Sequence, residues 1–261
     1  MKLPIYQLDA FTDVAFKGNP AAVCVLDEWL NDKILQSIAA ENNLSETAFF
    51  IATGDKYELR WFTPTCEVDL CGHATLAAAE VVLNILETEK DFITFFSKFS
   101  GDLTVKKAGK WLEMNFPSRP PEKIEVPHNL NKALGKPFKE VMCSRDMLVL
   151  FEKEEDIIEL TPDFNEIAKL NTLGVIVTAP GNNDIDFVSR FFCPQAGILE
   201  DPVTGSAHCT LIPYWSNKLN KTKLIARQVS NRGGLLKCEL INDRVSISGQ
   251  VICYLKGEIY I

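Results

Sequence analysis

The segment Arg60-Trp61-Phe62-Thr63-Pro64 returns 130 residues later as Arg190-Phe191-Phe192-Cys193-Pro194. Downstream, Cys71-Gly72-His73-Ala74-Thr75-Leu76 is echoed by Thr204-Gly205-Ser206-Ala207-His208-Cys209, now 133 residues on. The second copy is therefore three residues longer, and the surplus falls around Leu199-Glu200-Asp201-Pro202. Upstream, Phe49-Phe50-Ile51 matches Val175-Ile176-Val177 in position and character. Two copies are too few for a solenoid, which needs at least about three. They predict two similar domains facing each other.

Each copy reads alike. Strands are expected over Ile5–Phe11 and Ala22–Leu26 in the first half, and over Val141–Phe151 in the second. A helix follows at about Glu28–Glu41, with Leu30, Ile34 and Ile38 on one face. In the second half Thr161 reads as an N-cap and Pro162 as the first helical residue. After an apolar strand and the Arg-aromatic-Phe-x-Pro segment, a glycine turn opens an apolar helix, His73–Leu86 and then Ser206 to about Lys218. The first carries Ala74, Leu76, Ala77, Ala78, Val81 and Val82, so it is apolar on most faces and should run buried through its own half. The run 117–122, rich in Pro and polar residues, reads as a linker. Domains are expected at 1–117 and 118–261. The last strands, Arg244–Ile247, Val251–Leu255 and Glu258–Ile261, alternate well, and one or more of them is expected to pack back on the first domain.

Composition narrows the function. The chain has 261 residues and a net charge of −8. No basic stripe is present to neutralise phosphates, which argues against nucleic-acid and membrane-surface binding. No apolar run approaches the roughly 20 residues of a spanning helix, and Pro4 and Asp9 interrupt the N-terminal segment where a signal peptide needs an apolar core. A cytoplasmic protein is expected. The eight cysteines are scattered through apolar stretches and read mostly as small buried hydrophobes. Cys66, Cys71 and His73 lie close in sequence, but no second pair sits at ligand spacing, so no metal is expected.

Chemistry is expected where the buried helices begin. A helix N-terminus leaves unpaired N–H groups and a partial positive charge, and so attracts anions. Two such ends at Gly72 and Gly205 could hold a small carboxylate in an interdomain cleft, or could be tight turns and nothing more. The informative positions are those where the copies differ. Glu46 precedes the strand Phe49–Ile51, and its counterpart region is Thr172-Leu173-Gly174-Val175. A carboxylate beside an apolar strand suits general acid–base work; a cap or a solvated helix end is the plain alternative. His73, at a helix N-terminus, is expected to stay neutral and able to give or take a proton. Its counterpart is Ser206. Asp201, in the insertion, could orient His73 or cap the second helix. His128 and His208 read as structural. The Gly pair of Asn231-Arg232-Gly233-Gly234 reads first as a turn.

Six segments together resemble the PhzF-like family of phenazine-biosynthesis proteins, which shares the diaminopimelate epimerase fold. They are Gln7-Leu8-Asp9-Ala10-Phe11-Thr12, Gly18-Asn19-Pro20-Ala21-Ala22-Val23, Leu44-Ser45-Glu46-Thr47-Ala48-Phe49, the Arg60 and Cys71 segments quoted above, and Glu200-Asp201-Pro202-Val203-Thr204-Gly205-Ser206-Ala207-His208. The resemblance implies an α+β fold of two pseudo-symmetric domains, each a β-barrel-like sheet around a central helix. It implies Glu46 as catalytic acid/base, His73, Asp201 and Ser206 as pocket residues, and Gly72 and Gly205 as amide nests. It also implies a homodimer and cofactor-free isomerisation, in which a proton leaves one carbon of a small carboxylate and returns at another.

The related epimerases use two facing cysteines. Here the first position matches Cys71 and the second Thr204, so a symmetric two-thiol reaction is not expected. A Cys71-dependent racemase or dehydratase of an amino or hydroxy acid is the second reading, and a non-catalytic small-molecule binding protein is the third.

Overall fold

The computed structural model describes residues 1–261 and forms two compact units. The first comprises Met1–Asn115 and Ser248–Ile261, and the second Phe116–Ile247. The first unit contains β1 (Lys2–Ala10), β2 (Asn19–Leu26), α1 (Asp32–Asn42), β3 (Glu46–Thr53), β4 (Lys56–Phe62), β5 (Glu67–Val68), α2 (Gly72–Glu80), β6 (Phe92–Ser97), β7 (Gly101–Ala108) and most of β8 (Trp111–Pro117). The second contains β9 (Glu122–Lys123), α3 (Leu130–Leu134), β10 (Glu140–Cys143), β11 (Met147–Leu150), α4 (Glu154–Ile158), α5 (Phe164–Ile167), β12 (Val175–Pro180), β13 (Phe187–Cys193), β14 (Ile198–Asp201), α6 (Gly205–Leu219), β15 (Lys223–Gln228), β16 (Gly234–Ile241) and most of β17 (Arg244–Gly249). The chain ends with β18 (Val251–Tyr260), which belongs to the first unit.

In the first unit β1 lies antiparallel between β2 and β18. β2 and β3 are parallel, β3 and β4 antiparallel, and β4 and β6 parallel. Parallel neighbours need a crossover, and α1 supplies the first and α2 the second. All of Ala21–Cys24 is buried, so this strand is covered on both faces. Ala22 and Cys24 pack with Leu35, Ile38 and Ala39 of α1 in one core. α2 packs on β1, β2 and β3, and every residue from Gly72 to Ala79 is buried. It continues directly into a π-helical turn, Val81–Leu86. In the second unit β11 and β12 are parallel, β12 and β13 antiparallel, and β13 and β15 parallel, with α6 as the last crossover.

The repeated Arg-x-Phe motif has a structural explanation in each unit. Strand alternation puts residues i and i+2 on one face. The Arg60 guanidinium lies 5.0 Å from the Phe62 ring, and Arg190 lies 5.0 Å from the Phe192 ring. Each guanidinium also forks onto one carboxylate: Arg60 onto Glu67 at 2.6 and 2.7 Å, and Arg190 onto Glu200 at 2.7 and 2.8 Å. The arginine thus ties its own strand to the next one.

Several boundaries differ from the sequence reading. The helix expected from Glu28 starts at Asp32, because Asn31 caps it by accepting the Lys33 amide at 3.0 Å. Val141–Phe151 is a hairpin rather than one strand, broken by Ser144–Asp146. The helix announced by Thr161-Pro162 is one short turn, Phe164–Ile167, and its N-cap is Asp163, whose side chain takes the amides of Asn165 and Glu166. Val251–Leu255 and Glu258–Ile261 are a single strand. The segment after Pro117 is tied down. Pro213 lies inside α6 and has no N–H to give the Cys209 carbonyl. The Arg119 amide occupies that carbonyl instead, at 2.8 Å.

Candidate active site

In the first unit the parallel pairing sets Ala21 beside Glu46, so Asn19 and Glu46 open neighbouring strands at the same end. α2 begins there as well. Glu46 Oε2 lies 3.1 Å from His73 Nε2. The approach is off the line of a well-directed hydrogen bond, and no other donor satisfies that buried oxygen. The amide Nδ2 of Asn19 lies 3.1 Å from His73 Nδ1, and Cys71 Sγ lies 3.5 Å from the same nitrogen. The Asn19 amide can serve either state of the ring: its Nδ2 donates to Nδ1 of a neutral imidazole, and its Oδ1 accepts from Nδ1 of a charged one. Glu46, Cys71, Gly72 and His73 are therefore one cluster.

The expectation of a neutral His73 needs correcting. Burial acts to lower its pKa, but the fields of Cys71 and Glu46 and the hydrogen bonds to both act the other way and win, so it sits well above the usual value. Burial also pushes the Cys71 thiol up to about 11. A thiol with that value is uncharged near neutral pH. Cys71 is then a poor resting nucleophile or base.

The N-terminus of α2 is open. Cys71 is its N-cap residue and makes no side-chain cap. The Ala74 amide lies against the Cys71 thiol, and the positive end of the helix stands beside the Glu46–His73 pair.

The ligand atoms of Glu46, Cys71 and His73 all lie within 4.8 Å of one another, close enough to share a divalent cation. Cys66, singled out by sequence spacing, is exposed and is not part of this group. Both imidazole nitrogens already face polar partners, Asn19 and Cys71 at Nδ1 and Glu46 at Nε2, an arrangement that suits holding a proton.

In the second unit Asp201 ends β14 and Thr204 is the N-cap residue of α6, followed by Gly205 and Ser206. The Thr204 side chain does not cap the helix; its hydroxyl donates to Asp201 Oδ2. Gln228 holds this turn from below. Its Oε1 accepts from the Thr204 amide at 2.9 Å and its Nε2 donates to the Asp201 carbonyl at 2.7 Å. His208 Nδ1 lies 2.8 Å from the Thr204 carbonyl. Asp201, Thr204, Gly205 and Ser206 thus form a second cluster at the start of a buried helix. Asn19 and Gln228 are the positioning residues that the sequence reading missed. Asn19 was visible only as part of a matched segment.

The sequence profile described as PhzC-PhzF, phenazine biosynthesis-like protein, matches residues 8–257. An uncharacterized isomerase of Pseudomonas aeruginosa is 49% identical, with 100% of each chain aligned. The crystal structure of a PhzF-family phenazine biosynthesis protein from Enterococcus faecalis superposes with a TM-score of 0.97 at 48% identity, covering 100% of both chains. A hydroxyproline epimerase from Agrobacterium vitis, at 7% identity, covers 99% of this chain and 92% of its own with a TM-score of 0.61, which is a likeness of fold. The chain has the α+β, diaminopimelate epimerase-like fold and belongs to the PhzC-PhzF family of phenazine biosynthesis-like proteins.

Proposed function

We propose that this protein is a cofactor-independent isomerase that moves a proton on a small carboxylate substrate, with Glu46 as the acid/base. The observation that carries the proposal is the buried contact between Glu46 Oε2 and His73 Nε2, 3.1 Å, at the uncapped N-terminus of α2. The isomerase relative supports the reaction class.

In this reading the substrate is an unsaturated carboxylate: the Glu46 carboxylate takes a proton from one carbon, the electron pair left behind spreads through the adjacent C=C toward the substrate carboxylate, and the double bond shifts. The helix-start amides at Gly72 and Gly205 stabilise that developing charge; each preorganised donor is worth roughly 3 kcal/mol. The protonated Glu46 then returns the proton to a second carbon, and the enzyme is restored. His73 holds the glutamate in place and shares its proton. Asp201 and Ser206 bind the substrate, and Gln228 and Thr204 keep their turn in shape. The protein is proposed to work as a homodimer in a biosynthetic process.

Exchange in D₂O tests this. Wild type, Glu46→Gln and Cys71→Ser are each incubated with a panel of small amino, hydroxy and unsaturated carboxylates, and label is followed by NMR. Wild type and Cys71→Ser should incorporate deuterium, and Glu46→Gln should fall by about 10²–10⁴-fold. Retained exchange in Glu46→Gln with loss in Cys71→Ser would overturn the glutamate mechanism in favour of a thiol one. Ligand binding with no exchange by any of the three would make the protein a binding module.

A further inference from the structure

We propose that β18 is the dimerisation strand: two copies of the chain pair antiparallel along this edge, with the two-fold axis at Gly257. This rests on the homodimer reading above and adds the surface and register.

Three observations lead to it. First, β18 runs ten residues along the outer side of β1, and Cys253 to Lys256, Glu258 and Tyr260 are exposed. A long edge strand offers a row of N–H and C=O groups that another strand can complete. Its irregularity lies at Tyr254, skipped where the register shifts between Gln7 and Leu8; from Leu255 to Tyr260 the ladder is regular. Second, the exposed side chains include large apolar ones beside the charged Lys256 and Glu258: Leu255 is 42% exposed and Tyr260 75%. Third, β18 borders an apolar groove of about 570 Å³ between its C-terminal end and α1, with Ile34, Ile38, Ile259 and Ile261 in the lining.

Charge favours a second copy as occupant and rules out the two neighbouring registers, with Glu258, now paired with Lys2 at 2.7 Å, turning to its new partner. With the axis normal to the sheet, residues of equal parity must face each other. Centred on Gly257, Lys256 stands opposite Glu258 of the second copy, twice by symmetry. Centred on Lys256 or on Glu258, the strand would set like charges directly against each other, which is destabilising. The chosen register also places Leu255 of one copy opposite Ile259 of the other. Ile259 packs in the core beneath α1, so Leu255 arrives at the mouth of the apolar groove. Gly257 faces itself, where a side chain would crowd the axis. One ten-residue strand thus carries complementary charge, complementary apolar surface and a small residue at its centre.

The test is a charge-swap pair read by sedimentation velocity. Wild type should be a dimer. Lys256→Glu sets Glu against Glu258, and Glu258→Lys sets Lys against Lys256, so each variant alone should dimerise at least about tenfold more weakly. Mixed together, they should form a heterodimer of near wild-type affinity. In a Cys253→Ser background, Gly257→Cys should cross-link to itself on oxidation, because facing Cα atoms about 4.5–5.5 Å apart lie within disulfide reach. A wild type monomeric at all concentrations would overturn both this interface and the homodimer. A dimer indifferent to the charge swaps and free of the cross-link would overturn this interface and leave the homodimer standing.

Discussion

His208 shows how much one side chain can owe to its surroundings. It is wholly buried, its Nδ1 faces the Thr204 carbonyl at 2.8 Å, and its Nε2 has no partner. Burial pulls its pKa down to about 4. Above pH 6.5 the folded and unfolded states both hold it neutral. Between 6.5 and 4 the unfolded chain takes up a proton that the folded protein refuses, so stability falls as pH falls. A gap of that size corresponds to about 3 kcal/mol. Urea unfolding at pH 7.5 and 4.5 should show most of it: His208→Leu should be less stable at pH 7.5, having lost the bond to Thr204, yet lose about 2.5 kcal/mol less on acidification. Equal acid sensitivity in the two proteins would remove His208 as the cause. At this scale the sequence was legible where charge and repeat mismatch pointed, as at Glu46 and His73. It was silent for Asn19 and Gln228. A buried amide carries no charge signature, and their partners lie 54 and 24 residues away in the chain.

Elements were legible by pattern and blurred at their ends. The two glycine turns opening α2 and α6 stand where the sequence puts them, because an all-apolar helix after a strand has one place to go. Helix starts were misread where a side-chain cap outranked proline: Asp163, not Thr161, supplies the oxygen for the amides of α5. The Val141–Phe151 run hid a hairpin, since both of its arms are apolar. The loop from Ala10 to Asn19 illustrates what a turn can demand. Gly18 has φ +66°, and a Cβ there would stand 2.2 Å from the Ala10 carbonyl oxygen. Gly18→Ala therefore meets left-handed strain of about 1–2 kcal/mol and a backbone clash of about 1–3 kcal/mol. Because Asn19 is next in the chain, the change should also disturb the His73 contact. Gly109 has nearly the same φ, +65°, and a methyl group added there would meet nothing within 4 Å, so Gly109→Ala should cost only the strain. Thermal unfolding of the two variants checks this; equal losses would show that the Ala10 clash is relieved by local movement.

At the scale of the whole molecule the chain returns to its beginning. The sequence places the boundary at 117 and allows final strands to pack back; in the structure the first unit takes Ser248–Ile261 from the far end. Alternation can mark a strand, but it does not say which strand will be its neighbour. The pairing is extensive: β18 matches β1 from Lys2↔Tyr260 to Ala10↔Val251. Each such hydrogen bond contributes roughly 1 kcal/mol net, and nine residues of ladder weigh several kcal/mol against a domain stability of about 5–15 kcal/mol. Removing residues 251–261 should therefore unfold the first unit. The second, contiguous from Phe116 to Ile247, contains its own core around Val149, Val177 and Phe192. Limited proteolysis followed by mass spectrometry separates the two outcomes. Peptides from residues 1–115 should appear early in the truncated chain while a fragment near 116–247 persists. A first unit as resistant without β18 as with it would mean that β1 needs no outer partner, and that its pairing with β2 and the core beneath α1 hold it alone.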